Sequence, residues 1–98
     1  MMNTMTTTYK TVPAEFHKKG FHYRQLRRES DRAIYIQTRP DSALCNYEVI
    51  KIGRHNGYVM GGSFIAPAET YPGSSLWGLC GWTCQSLEDA NARFNALV

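Results

Sequence analysis

The apolar positions of the first two thirds of the chain fall in short runs separated by polar turn residues, which is typical of β-strands. Two such runs between positions 21 and 39 flank Glu29, Ser30 and Asp31, and this pattern predicts a β-hairpin with a short polar loop. A second hairpin is predicted around Asn56 and Gly57, because both residues tolerate the positive φ angles of a type I′ turn.

The segment after this second hairpin carries glycines and prolines at positions that interrupt regular strands. Gly61 and Gly62 indicate a bulge or a close approach of two backbones. Pro67 and Pro72 restrict the stretch FIAPAETYPGSSLWG to a sheet edge or an ordered loop, because proline cannot donate to a β-ladder.

The last thirteen residues change from strand-like runs to helical periodicity. Ser86 is a suitable N-cap with Asp89 three residues later, and the first turn is acidic, as the helix dipole favours. The apolar residues recur at helical spacing: Leu87, Ala90, Phe94 and Leu97. Strands followed by one helix predict an α+β fold, a twisted antiparallel sheet of four to five strands with one C-terminal helix packed on it.

Length and composition fit one domain. The chain has 98 residues, of which 43% are hydrophobic and 19% charged, as expected of a globular protein. The Thr-rich start predicts a flexible arm over residues 1–8, followed by a single domain over 9–98. Neither a run of roughly 20 apolar residues nor a secretory signal is present, which predicts a cytoplasmic protein that has no membrane partner.

The stretch WGLCGWTC at positions 77–84 raises the question of a metal site or a disulfide. If residues 79–84 form a strand, Cys80, Trp82 and Cys84 share one face and the cysteines lie about 13 Å apart, beyond the roughly 7 Å limit of a disulfide. A loop conformation could form a metal site only by recruiting Cys45 or two of the three histidines. We therefore predict that the thiols pack in the structure and that no metal or cofactor is bound.

No group of residues has the spacing of a catalytic motif. The sequence HNG at 55–57 could supply a nuclease histidine, but a hairpin turn accounts for it, and no paired carboxylates follow to hold Mg²⁺. Ser74 and Ser75 lack the context of a nucleophile elbow. The protein is therefore predicted not to be an enzyme. An enzyme that uses cysteine and histidine side chains is the third-ranked alternative, after two binding functions.

Charge is unevenly distributed along the chain. Residues 1–54 hold ten of the eleven Lys and Arg against five acids, an excess of +5, whereas residues 55–98 have an excess of −2. The basic residues crowd the first hairpin and are interleaved with tyrosines, a composition suited to phosphate or to an acidic protein surface. The predicted interaction surface consists of Tyr23, Arg24, Arg27, Arg28, Arg32, Tyr35 and Arg39.

A structural interpretation of the same arginines stands beside the functional one. Lys and Arg on an edge strand keep it from pairing with other molecules, and strand alternation divides such residues between two faces of the sheet. The sequence leaves both interpretations open.

The order of motifs from Phe21 to Trp82 resembles that of small proteins encoded by bacteriophages and prophages. The residues that carry the resemblance are AIYIQT, YEVIKIGRHNGY, PAETYP and WGLCGWT. Small phage proteins of this type commonly bind host machinery, and they include the anti-CRISPR inhibitors of bacterial defence. The resemblance implies a binding protein that acts in the cytoplasm of a bacterial host cell and inhibits a host defence complex such as a CRISPR effector, through contact with a host protein or ribonucleoprotein. The alternative is an accessory protein that binds nucleic acid through the arginine hairpin.

Overall fold

A computed structural model describes residues 7–97 of the chain. In chain order the strands are β1 (Glu15–Lys18), β2 (Phe21–Glu29), β3 (Arg32–Thr38), β4 (Cys45–Lys51), β5 (Gly53–His55), β6 (Tyr58–Met60), β7 (Ser63–Ile65), β8 (Ala68–Thr70) and β9 (Gly81–Cys84). A 3₁₀ turn occupies Ser74–Leu76, and the helix α1 spans Leu87–Ala96.

The central layer is an antiparallel sheet of five strands in the order β1-β2-β3-β4-β9, with α1 packed against one face. This confirms the predicted α+β fold. Most of the predicted flexible arm, residues 1–6, lies outside the described residues. No helix within residues 7–97 is long and apolar enough to cross a membrane.

The hairpin of β2 and β3 turns where the polar loop predicts it. Ser30 adopts a φ of 54°, and Glu29 pairs with Arg32 across the turn. A bulge at Leu26 shifts the register between Gln25 and Arg27, and every side chain beyond it changes face.

The helix covers one face of the sheet, called the helix face below. Ile34 and Val49 of the sheet pack with Ala90 and Phe94 of α1, and all four side chains are fully buried. Ser86 caps the helix as the sequence predicts, since its Oγ accepts a hydrogen bond from the backbone N–H of Asp89 at 3.1 Å. Leu97 packs against this core, whereas Leu87 is 43% exposed.

The opposite face, called the aromatic face below, holds the second core. Its buried members are Val12, Tyr23, Ala33, Tyr35, Ile50 and Ile52, with Phe16, Phe21, Tyr71 and Trp77 packed around them. β5 and β8 form a separate two-stranded sheet. The backbone of Lys10 lies beside β8 and is hydrogen-bonded to the backbones of Pro67 and Glu69. The central sheet therefore has α1 on one face, against β3, β4 and β9, and side chains from outside its strands, among them Val12, Ile52 and Tyr71, on the other.

The hairpin predicted at Asn56 and Gly57 is wrong. β5 pairs with β8 and β6 pairs with β7, so the two strands that flank Asn56 and Gly57 belong to different sheets. The tight turn lies at Gly61 and Gly62 instead, where both φ angles are positive, at 59° and 81°; this also corrects the bulge predicted there. Gly57 has a φ of 94°, but the ring of Phe64 lies over it. Gly57 therefore lies in the link between β5 and β6, which belong to different sheets, and not in a hairpin turn.

The stretch WGLCGWTC forms a tight turn that enters β9. The backbone N–H of Gly78 donates to the carbonyl of Gly81 at 2.7 Å, and the indole of Trp77 lies directly over Gly81. Because β9 begins only at Gly81, Cys80 lies in the turn and does not share a strand with Cys84, which corrects the predicted strand from residue 79. All three cysteines are free and half-buried, and Cys84 packs against the core on the helix face.

Candidate interaction surface

Arg32 of the predicted interaction surface is bound to the C-terminal end of α1. Its Nη1 donates to the carbonyl oxygens of Phe94 at 2.6 Å and Leu97 at 2.7 Å, and its guanidinium lies 4.4 Å from the centre of the Phe94 ring. A cation at this end of a helix satisfies carbonyls that have no partner within the helix. Arg32 therefore stabilises the helix.

Arg27 also lies on the helix face. Its guanidinium is 4.0 Å from the centre of the Phe94 ring and donates to the side chains of Asn91 at 2.9 Å and Asn95 at 3.2 Å. A third acceptor is Glu29, at 2.8 Å from Nη2. These contacts occupy the guanidinium within the fold, so Arg27 is a poor donor to a partner.

Arg28 is turned to the aromatic face by the bulge at Leu26 and binds Glu69. The two side chains form a bidentate pair with N–O distances of 2.7 and 2.6 Å, and only 6% of the Glu69 side chain is exposed. The guanidinium of Arg28 and the N–H of Val12 lower the pKa of Glu69 to about 2. This pair joins the hairpin to β8 and leaves no charge for a ligand.

The two tyrosines of the predicted surface are buried, and their assignment to it is wrong. Tyr35 is fully buried, and its hydroxyl donates to the carbonyl of Pro13 at 2.7 Å. Tyr23 is 8% exposed, and its hydroxyl accepts from the side chain of Gln37 at 2.8 Å. Burial raises the pKa of both hydroxyls. The sheet places both rings inward because each lies on the aromatic face, which irregular chain covers.

Arg24 and Arg39 are the exposed members of the predicted set. Arg24 lies on the helix face opposite Ile36, and within residues 7–97 its side chain forms no hydrogen bond or ion pair. Arg39 lies 3.3 Å from Asp41 and stacks over the ring of Phe21 on the aromatic side. The structure therefore does not bring the seven residues together into one surface.

A different surface is formed by β6 and β7, which together make a two-stranded sheet over residues 58–65, called the apolar ribbon below. Val59 pairs with Phe64 on one side of the ribbon, and these side chains are 72% and 67% exposed. Tyr58 and Met60 lie on the other side, at 46% and 63%. Large apolar side chains are thus exposed on both sides of the ribbon, an arrangement that marks protein interaction sites.

The sequence contains a signal for the ribbon that the hairpin predicted at Asn56 and Gly57 obscured. The stretch YVMGGSFI has a two-glycine turn between two apolar runs, and almost no polar residue alternates with the apolar ones. A strand with one buried face alternates apolar and polar residues. A run without alternation is therefore either buried on both faces or has an exposed apolar face that another protein can cover. The structure exposes this one.

Metal ligands are not assembled in the described part of the chain. No group of three or more His, Cys, Asp or Glu within residues 7–97 is placed to hold a metal ion. The rings of His17 and His22 stack at 4.4 Å, and His22 shares a hydrogen bond with Glu15. Burial and the nearby Asp89 raise the pKa of the Cys84 thiol, which keeps it protonated and weakly nucleophilic.

Comparisons of this chain with protein-family models, curated proteins and solved structures gave no match. Outside the two cores, the apolar ribbon is the strongest candidate for a functional surface.

Proposed function

We propose that the protein acts by stoichiometric association with another protein and that the apolar ribbon is its main contact. In the form suggested by the resemblance to phage-encoded proteins, the partner is a host defence complex such as a CRISPR effector, which the protein inhibits. The observation that carries the proposal is the exposure of Tyr58, Val59, Met60 and Phe64 on a sheet of only two strands.

The ribbon has the composition of an interface centre. Aromatic residues and methionine are enriched in the buried core of protein interfaces, and charged residues are depleted there. Burying one large apolar side chain contributes about 1.5 to 3 kcal/mol, so the four side chains supply enough apolar surface for specific binding. The strands also offer backbone hydrogen bonds at their outer edges, through which a partner sheet can be extended.

The basic half of the chain assists association without forming the contact. An excess of +5 over residues 1–54 attracts an acidic partner and raises the rate of encounter, and the exposed Arg24 contributes to that field. The alternative of a nucleic-acid-binding protein has less support, because Arg27, Arg28 and Arg32 are bound within the fold.

The test is a pull-down from bacterial host lysate with the wild-type protein and the double variant Val59→Ser/Phe64→Ser. We expect the wild type to capture a partner in a one-to-one complex on size exclusion. The double variant should lose that partner while remaining folded by circular dichroism. Leu44→Ser is the matched control, since Leu44 is 83% exposed and lies outside the ribbon. A partner held equally by the double variant would contradict the ribbon's role, and a partner released by nuclease would favour the nucleic-acid alternative.

A further inference from the structure

A cavity of about 580 Å³ opens on the aromatic face, away from both α1 and the ribbon. Its walls include the side chains of Phe16, Phe21, Tyr23, Tyr71 and Trp77, and Glu48 contributes a carboxylate. This volume is in the range of small-molecule sites, which combine apolar walls with a few polar groups.

The carboxylate of Glu48 is the unusual group of this cavity. Glu48 lies on β4 and is 8% exposed, and the hydroxyl of Tyr71 donates to its Oε1. Within residues 7–97 no basic side chain lies within ion-pair distance of it, whereas the other carboxylate of the lining, Glu69, is neutralised by Arg28. Burial raises the pKa of Glu48, and this cost of holding a charge is what a cationic ligand would relieve.

The aromatic walls are held in place by contacts of their own. The indole of Trp77 lies over Gly81, and its Nε1 donates at 3.0 Å to Thr83, the strand partner of Glu48. Tyr71 packs edge-on against Phe16 at 5.4 Å between ring centres. Walls fixed in advance lose little entropy when a ligand binds.

Lysines supply the opposite charge at the cavity mouth. Lys18 and Lys19 both line it and are exposed, and the charge of Lys18 acts on Glu48 without forming an ion pair. Glu48 is therefore the acidic group of the interior, and the ammonium groups lie toward solvent.

We propose that this cavity binds a small zwitterion, with an organic ammonium head between the aromatic rings and Glu48 and an anionic group at Lys18 and Lys19. Rings attract an ammonium head through the negative potential of their faces, and a buried carboxylate adds a direct ion pair. An uncharged apolar ligand would leave Glu48 buried without a counter-charge. A simple cation would leave the two lysines opposing its entry.

The fluorescence of Trp77 provides a direct assay, because the chain has two tryptophans and Trp82 lies on the helix face. In a Trp82→Phe background, Trp77 is the sole indole. The probes are phosphocholine, choline and neohexanol, an uncharged isostere in which tert-butyl replaces trimethylammonium. We expect phosphocholine to change the emission at the lowest concentration, choline at a higher one, and neohexanol at the highest.

Two variants test which charged side chains bind the ammonium head and which bind the anionic group of the ligand. Glu48→Gln should weaken binding of choline and phosphocholine by about tenfold or more while leaving neohexanol unchanged, because only the charged head loses its ion pair. Lys18→Gln/Lys19→Gln should remove the advantage of phosphocholine over choline. Glu88→Gln, an exposed change on α1, is the control for the loss of one acid. Circular dichroism confirms that each variant is folded.

Several outcomes would overturn the proposal. They are equal binding of all three probes, a Glu48→Gln variant that binds choline as the parent does, and no response of Trp77 to phosphocholine at about 10 mM, a concentration that would nearly saturate a site with a Kd of about 1 mM. The result is independent of the ribbon, since Phe64→Ser changes no residue of the cavity wall.

Discussion

The guanidinium of Arg32, on the second strand of the first hairpin, closes the C-terminal end of α1 by donating to the carbonyl oxygen of Phe94 at 2.6 Å. The same Nη1 reaches Leu97, and the guanidinium plane lies near the ring of Phe94. One side chain thus fixes the end of the helix and covers the residue that anchors the helix to the sheet.

Replacing Arg32 should therefore cost stability. We expect Arg32→Gln to lower the free energy of unfolding by about 1 to 3 kcal/mol, since a charged hydrogen-bond donor and a favourable dipole interaction are lost together. Urea unfolding followed by circular dichroism measures the change. Arg39→Gln is the matched control, because the Arg39 side chain is 51% exposed, and it should change stability by less than about 0.5 kcal/mol. Equal effects of the two variants would contradict the capping role.

The Arg28 and Glu69 pair predicts a loss of stability in acid. The pKa of Glu69 is lowered from 4.5 to about 2 in the folded protein, so ionisation favours folding. Its contribution is full above about pH 4.5 and is lost as the pH falls toward 2, by up to about 3 kcal/mol. Urea midpoints measured between pH 2 and 6 should show this slope.

The slope should vanish in a variant that replaces the pair by apolar residues, Arg28→Met/Glu69→Leu, which avoids leaving one buried charge alone. Glu88→Gln serves as the control and should keep the slope. If the double variant loses stability in acid as steeply as the wild type, the carboxylate responsible is another one.

Replacing Arg28 and replacing Arg24, both on β2, should change stability by very different amounts, because Arg28 is half-buried and Arg24 is exposed. Arg28→Gln leaves Glu69 without its bidentate partner, and we expect a loss of about 3 to 5 kcal/mol. Arg24→Gln, an exposed change on the same strand, should stay within about 0.5 kcal/mol. Thermal denaturation of the two proteins tests this directly. A stable Arg28→Gln variant would show that the pair contributes nothing to folding.

The contact between Trp77 and Gly81 can be tested by adding one methyl group. A Cβ at Gly81 would overlap the indole of Trp77, so Gly81→Ala must displace the ring or the strand, at a cost of about 1 to 3 kcal/mol. Gly73→Ala is the control, since a Cβ there meets nothing within 4 Å. Red-shifted emission from Trp77 in the Gly81→Ala, Trp82→Phe protein should accompany the loss, and unchanged emission would contradict the packing.

Elements with local signals were predictable from the sequence. Ser86 and the apolar stripe through Ala90 and Phe94 define α1, and the polar turn at Ser30 and Asp31 defines the first hairpin. Both depend on residues close together along the chain, where capping and periodicity act.

Contacts between distant segments were not predictable in the same way. Arg28 meets Glu69 across 41 positions, and Arg32 meets Phe94 across 62. The bulge at Leu26 decides which arginine faces which partner, and no residue type marks it in the sequence. Likewise, strand pairing decides whether β6 joins β5 or β7, and Asn56 and Gly57 fit either outcome until the sheets are formed.

The route of the chain between β4 and β9 has a consequence for how such a protein can diversify. The backbone N–H of Lys51 donates to the carbonyl of Cys80 at 2.8 Å, so residues 52–80 leave the central sheet and return to it at nearly the same point. A segment whose ends already meet can be exchanged for another without altering the register of the strands that hold it. The ribbon and one wall of the cavity lie within that segment. New specificities can therefore arise within this one insert, provided that Glu69 and the side chains that cover the aromatic face are kept.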